Sequence, residues 1–120
     1  MGKLTIGVFS SLVGSLSLDF SVKLSEAAVK KGHKVDFWIS GNATMLSKKE
    51  QRAFKDYSFL QKTIQELLAT GNFQMTACEA CAEARGYHKG DTMEGCKRHS
   101  MDWYLASCFS ADRVLHIGGD

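Results

Sequence analysis

The chain carries four cysteines, and three of them, Cys78, Cys81 and Cys96, fall within 19 residues. Cys78-Glu79-Ala80-Cys81 is a C-x-x-C. Cys96-Lys97-Arg98-His99 is a C-x-x-H, with 14 residues between the two pairs. Three chemistries use such residues. A thiolate at Cys78 is a sulfur nucleophile, because the thiolate and not the thiol attacks. A C-x-x-C that opens a helix after a strand is a thiol–disulfide redox pair. The set Cys78, Cys81, Cys96 and His99 has the ligand types and approximate spacing of a structural zinc site. Zinc knuckles sit in tight turns, whereas this C-x-x-C opens a helix, so the nucleophile reading ranks above zinc. A lone Cys-rich cluster in an otherwise ordinary composition is more often catalytic or metal-binding than a disulfide framework.

These residues need elements to hold them. Lys3–Phe9, with Leu4, Ile6, Val8 and Phe9, reads as a buried strand. Residues 10–17 form a Ser/Gly-rich loop without the glycine fingerprint of dinucleotide sites. Phe20, Leu24, Ala27 and Ala28 line one face of a helix over residues 18–31, which Gly32 stops. Residues 35–39 are a second strand, broken at Gly41-Asn42. Ser47 and Glu50 predict a capping box and a short helix over 48–55. Ser58 and Gln61 predict another, before Leu60, Ile64, Leu67 and Leu68 at helical spacing and a stop at Gly71. Residues 73–76 are a third strand, 79–85 a short helix ended by Gly86, and 87–95 a polar, flexible loop. Met101, Tyr104, Leu105 and Cys108 mark the inner face of another helix, and residues 113–117 are a last strand.

Alternating strands and helices predict an α/β fold: one domain over 1–120, doubly wound and flavodoxin-like, its parallel sheet covered by helices on both faces. The expected order places the first strand between the second and third. Ligands of such sheets bind at carboxyl ends by the switch point. That puts Cys78, just past the third strand, beside the loop that follows Phe9. A helix N-terminus favours negative charge, so the Cys78 thiol is expected to have a lowered pKa.

The remaining candidates read as structure. His33 is a surface residue, His88 a solvated loop residue, His116 a satisfied sheet residue and Cys108 core; Arg85 before Gly86 suits a helix C-terminus. With 120 residues, 44% apolar, 23% charged and a net charge of +2, the chain is sized for one core. It carries no field that points to nucleic acid. Lys48, Lys49, Arg52 and Lys55 read as a solvated helix face. The early apolar stretch is cut by serines and glycine and serves as a core strand rather than a secretory leader. No apolar run approaches the roughly 18 residues of a membrane span. Met45, Leu46, Phe54 and Tyr57 among charges suggest an interface.

The stretch Met75-Thr76-Ala77-Cys78-Glu79-Ala80-Cys81-Ala82-Glu83-Ala84-Arg85-Gly86 resembles the segment around the active cysteine of the DsrE/F-like sulfur-relay family. There a strand ends in a cysteine, an Ala-rich helical turn follows, and an Arg-Gly pair closes it eight residues on. Ser110–Leu115 resembles the family's final Asp-Arg-Val strand, and Gly32-His33 fits the turn before its second strand. The resemblance implies a cytoplasmic sulfur carrier or sulfurtransferase with no cofactor. It implies that Cys78 takes up sulfane sulfur as a persulfide, with sulfur donor and acceptor proteins as partners. It also implies a homotrimer or homohexamer, or a complex with related subunits. Cys81 stands where the family has a small apolar residue and is a candidate accessory thiol. Cys96 and His99 lie outside the family pattern. A zinc module and a Cys78–Cys81 oxidoreductase are the alternatives.

Overall fold

The structure, a computed structural model, describes residues 2–118. The five strands are β1 (Lys3–Phe9), β2 (Lys34–Ser40), β3 (Phe73–Cys78), β4 (Lys97–His99) and β5 (Arg113–Gly118). They form one sheet in the order β4-β3-β2-β1-β5, and every pairing is parallel. Four α-helices connect them: α1 (Leu16–Lys30), α2 (Gln61–Ala69), α3 (Glu79–Ala84) and α4 (Met101–Ser110).

The fold class is the one expected; the strand order is not. β1 lies between β2 and β5, and β3 pairs with β2. Each crossover from β1 to β4 steps in the same direction across the sheet. Only the connection through α4 reverses, to the far side of β1. Right-handed crossovers that step one way keep their helices on one face, and a reversal places the next helix on the other. The switch point therefore falls between β1 and β5, two strands from Cys78.

The two faces differ in chemistry. Ile6, Val8, Val35, Phe37, Ile39, Phe73, Met75 and Ala77 pack with Leu18 and Val22 of α1 and Ile64 and Leu67 of α2. Each fully buried large side chain of this kind contributes roughly 1.5–3 kcal/mol. The opposite face is more polar and lies under α4. Thr5 Oγ1 meets Ser107 Oγ at 2.7 Å, Ser107 donates to Asp36 at 2.6 Å, and Lys3 Nζ lies 2.9 Å from Asp36. Pairing the buried Asp36 in this way offsets its desolvation. Gly7 lies beneath the Tyr104 ring, where a Cβ would collide with the phenol.

Several local expectations fail for identifiable reasons. Residues 48–55 are not helical. A 3₁₀ segment, Gly41–Ser47, precedes them and buries Ala43 and Leu46. The Ser47 hydroxyl is buried and donates to the Thr44 carbonyl at 2.6 Å, turned back into the 3₁₀ segment that it ends. Glu50 has a φ of 65°, outside any helix. The second capping box also fails. Ser58 donates to Asp19 at 2.7 Å, Gln61 accepts from the Gln51 amide at 2.6 Å, and Leu60 takes the N-cap position of α2. α1 begins earlier than expected because Ser15 Oγ accepts from the Leu18 amide at 3.1 Å. The three-residue β4 has no counterpart among the expected elements. The loop over 87–95 is pinned: Met93 is buried, its amide donates to Ser47 O at 2.8 Å, and the Lys49 amide donates to Asp91 O at 2.8 Å. On α4, Tyr104 is buried while Met101 and Leu105 are exposed and Cys108 is half-buried. Of the interface candidates, Leu46 is core, whereas Phe54 and Tyr57 are exposed.

Candidate functional site

β3 delivers Cys78 to the carboxyl edge of the sheet, where it is both the last strand residue and the N-cap of α3. Its backbone is extended (φ −63°, ψ 115°), which turns the chain from strand into helix. Cys78 Sγ accepts from the Cys81 amide at 3.4 Å, the bond that an Asp or Ser N-cap makes through oxygen. α3 then closes in a Schellman arrangement. The Gly86 amide donates to Glu83 O and the Tyr87 amide to Ala82 O, with Gly86 at φ 82°. This is the physical reason for the Arg-Gly pair eight residues past the cysteine.

Arg85 does more than end a helix. Its Nε donates to Asn42 Oδ1 at 2.8 Å and its Nη1 to Cys81 O at 3.1 Å. It thereby locks α3 to the 3₁₀ segment that follows β2. Arg98, on β4, braces the other side: Nη2 donates to Glu83 at 2.7 Å and reaches Glu79 O at 3.4 Å. Its side chain is only 6% exposed, and Nε and Nη1 have no partner among the described residues. Arg98, and then His88, hold the Glu83 carboxyl below the usual carboxylate range. Sequence reasoning missed Asn42 and Arg98. Neither belongs to a motif, and both reach α3 only through tertiary contacts.

Cys78 does not have the lowered pKa expected of it. Burial pushes the thiol up, and the neighbouring Cys81 thiol adds to this; the Cys81 and Ala80 amides pull the other way without prevailing. Cys78 therefore rests as a thiol at neutral pH, and its attack rate should follow the thiolate fraction, rising roughly tenfold per pH unit below its pKa. Cys96 is more strongly affected. It packs against the core, and burial pushes its thiol up to about 12. We expect iodoacetamide at pH 8 to modify Cys78 and Cys81 well before Cys96, as read by peptide mapping. Comparable labelling of all three would contradict this environment.

The zinc set does not assemble. Cys78 and His99 are cross-strand neighbours, but the His99 ring stacks on Trp103 at 6.2 Å and 5°. Cys96 directs Sγ to the Lys97 carbonyl at 3.5 Å. Among the described residues no three His, Cys, Asp or Glu side chains gather as a metal-holding group. What comes together is Cys78 with Cys81, whose amide donates to Cys78 Sγ at 3.4 Å. A cavity of about 440 Å³ beside β4 is lined in part by Glu79, Cys96, Arg98 and His99, and neither Cys78 nor Cys81 lines it. His116 is satisfied by the Tyr104 hydroxyl at 2.8 Å, as expected.

A family model described as the DsrE/DsrF-like family matches residues 3–117, nearly the whole chain. The chain belongs to the DsrE/DsrF-like family. This family is generally linked to sulfur relay. The fold of this DsrE/DsrF-like protein recurs in solved structures. The crystal structure of the ychN protein from E. coli superposes with a TM-score of 0.85 at 23% identity, covering 97% of this chain and 99% of that one. A protein of unknown function from Bacteroides thetaiotaomicron gives 0.72 at 20% identity, over 97% and 95% of the two chains. One from Methanobacterium thermoautotrophicum, also of unknown function, gives 0.71 at 12% identity, over 97% and 99%. These likenesses concern the fold. No curated protein sequence matches the chain. No helix among the described residues of this DsrE/DsrF-like protein is long and apolar enough to cross a membrane.

Proposed function

We propose that this protein is a cytoplasmic sulfur carrier and sulfurtransferase that holds sulfane sulfur as a persulfide on Cys78 and passes it to a partner protein. The observation that carries this reading is the seat of Cys78. It is a half-buried thiol at a strand-to-helix turn, with Sγ held by the Cys81 amide and the turn braced by Arg85. Cys78 thiolate attacks the outer sulfur of a donor persulfide, and the donor thiolate leaves. The amides of Ala80 and Cys81, which favour the anionic form of Cys78, also favour a terminal persulfide anion. A partner thiolate then attacks that outer sulfur, and Cys78 departs. Exchange between sulfurs is accessible once a thiolate exists, so the step needs no metal or nucleotide.

Incubation with a persulfidated donor, followed by intact mass, tests the reading. One added sulfur on Cys78, lost to an acceptor thiol protein, is the expected result. Loading of another cysteine instead would overturn it.

We propose self-assembly for the same protein, supported by α4. Met101, Leu105 and Phe109 repeat every four residues and are 43%, 48% and 91% exposed. β5 beside them is an open sheet edge with Val114 exposed. Unpaired edges and contiguous apolar faces mark association surfaces. Light scattering at micromolar concentration should give a trimer or hexamer, and Leu105→Glu with Phe109→Glu should shift it toward monomer. A wild-type monomer would refute this.

A further inference from the structure

The carrier reading does not use Cys81. Its position is specific. Cys78 is the N-cap of α3 and Cys81 lies in the first turn, three residues on. Its amide holds Cys78 Sγ at 3.4 Å. The other cysteines are engaged elsewhere. Cys96 faces the Lys97 carbonyl, and Cys108 lies beside Tyr104 on the opposite face of the sheet. The α3 turn is also held as a unit, because Arg85 donates to the carbonyl of Cys81 and to Asn42. Two cysteines three residues apart on one braced turn, the amide of one on the sulfur of the other, are placed to form a disulfide without large backbone movement.

We infer that Cys81 resolves the Cys78 persulfide within the chain, so that sulfur not collected by a partner is released as sulfide and a Cys78–Cys81 disulfide is left. This deepens the carrier reading and rests on it. The step balances within the protein. Cys81 thiolate attacks Cys78 Sγ, a new S–S bond forms, and the bond from Sγ to the outer sulfur breaks. The outer sulfur leaves with the bonding pair as hydrosulfide and takes up the proton that Cys81 gave up. The sulfane sulfur is reduced to sulfide while two cysteine thiols are oxidised to one disulfide. The oxidant is thus the carried sulfur, and no other is required. Attack on the outer sulfur would merely move the persulfide to Cys81. The bond present runs from the Cys81 amide to Sγ, the inner sulfur of the persulfide, which sets Cys81 against the atom whose attack gives release. Cys81 therefore acts as a timer on the carrier: fast collection by an acceptor gives transfer, and delay gives sulfide and a disulfide-locked, unloadable chain.

The test uses reduced, anaerobic full-length protein exposed to one equivalent of inorganic tetrasulfide and desalted. Intact mass and free sulfide are then followed with time. Wild type should pass from the mass of one added sulfur to a mass two hydrogens below the reduced chain, releasing one equivalent of sulfide. Peptide mapping should place the disulfide at Cys78–Cys81. Cys81→Ala should load equally and hold the sulfur, releasing sulfide at least about tenfold more slowly, since the exchange partner is gone. Cys81→Ser repeats the measurement should the alanine variant melt early. Equal persulfide lifetimes in wild type and both variants would overturn the inference, as would sulfide release with a disulfide elsewhere. Failure of Cys78 to gain sulfur in Cys81→Ala or Cys81→Ser would overturn the carrier reading itself, and the two failures are thereby told apart.

Discussion

Cys78→Ala should abolish sulfur loading at this site while the melting temperature changes little. The thiol is half-buried at the end of β3 and contributes one weak bond, from the Cys81 amide at 3.4 Å. Loss of an N-cap side chain costs about 0.5–2 kcal/mol for strong oxygen caps, and a sulfur cap should fall at the low end. The brace from Arg85 to Asn42 and to the Cys81 carbonyl survives the substitution. The chemical loss at this site is total, because the other thiol of the turn, Cys81, is not its N-cap residue. Cys81 lacks an equivalent cap, and burial keeps Cys96 protonated, its thiol pushed up to about 12. Anaerobic loading with a persulfide donor, read by intact mass and circular dichroism melting, checks both halves. A Cys78→Ala protein that still gains one sulfur at the wild-type rate would refute the assignment, and one that fails to fold would refute the account of the turn.

Trp38→Ala should give the largest stability loss available from a single side chain, roughly 3–5 kcal/mol. Trp38 is fully buried in β2 and stacks with two adjacent rings of α4, Trp103 at 6.1 Å and Tyr104 at 5.6 Å. Its removal opens a cavity between the sheet and α4 that two rigid rings cannot refill. Trp38→Phe should recover most of the loss. The indole Nε1 is buried with no hydrogen-bond partner among the described residues, so its N–H is a desolvated group without compensation. Urea denaturation midpoints of the three proteins provide the measurement. A phenylalanine variant as unstable as the alanine one would mean that the N–H has an acceptor after all. Because Trp38 pairs in register with Thr76, two residues before Cys78, the alanine variant should also slow sulfur loading.

The alternation of elements was legible because each has a strong local signature. Lys3–Phe9 is a compact apolar strand, and the α2 residues Ile64 and Leu67 return at helical spacing. The cysteine at the β3–α3 turn was legible too, since strand, cysteine, short helix and Arg-Gly follow one another directly in the chain. The failures cluster where one residue has two possible partners. Ser47 and Ser58 both have the spacing of capping residues, yet one hydroxyl is drawn to its own 3₁₀ turn and the other to Asp19 across the fold. Both were expected to accept from the first turn of a helix, and both donate elsewhere instead.

Local order along the chain thus determined the class of fold, the element types and the candidacy of Cys78, because those depend on periodicity and on neighbours within a few residues. Only the tertiary structure decided which strands adjoin. Strand pairing sets Trp38 against Thr76 and Cys78 against His99, and no local pattern encodes that choice. Tertiary structure also decided the fate of the cysteine set. Stacking of His99 on Trp103 and burial of Cys96 dissolve the zinc spacing, whereas the first turn of α3 brings Cys81 to Cys78. The same burial reversed the expected direction of the Cys78 titration. A helix terminus can be read from sequence, but the desolvation that opposes it depends on what the rest of the chain packs around the sulfur.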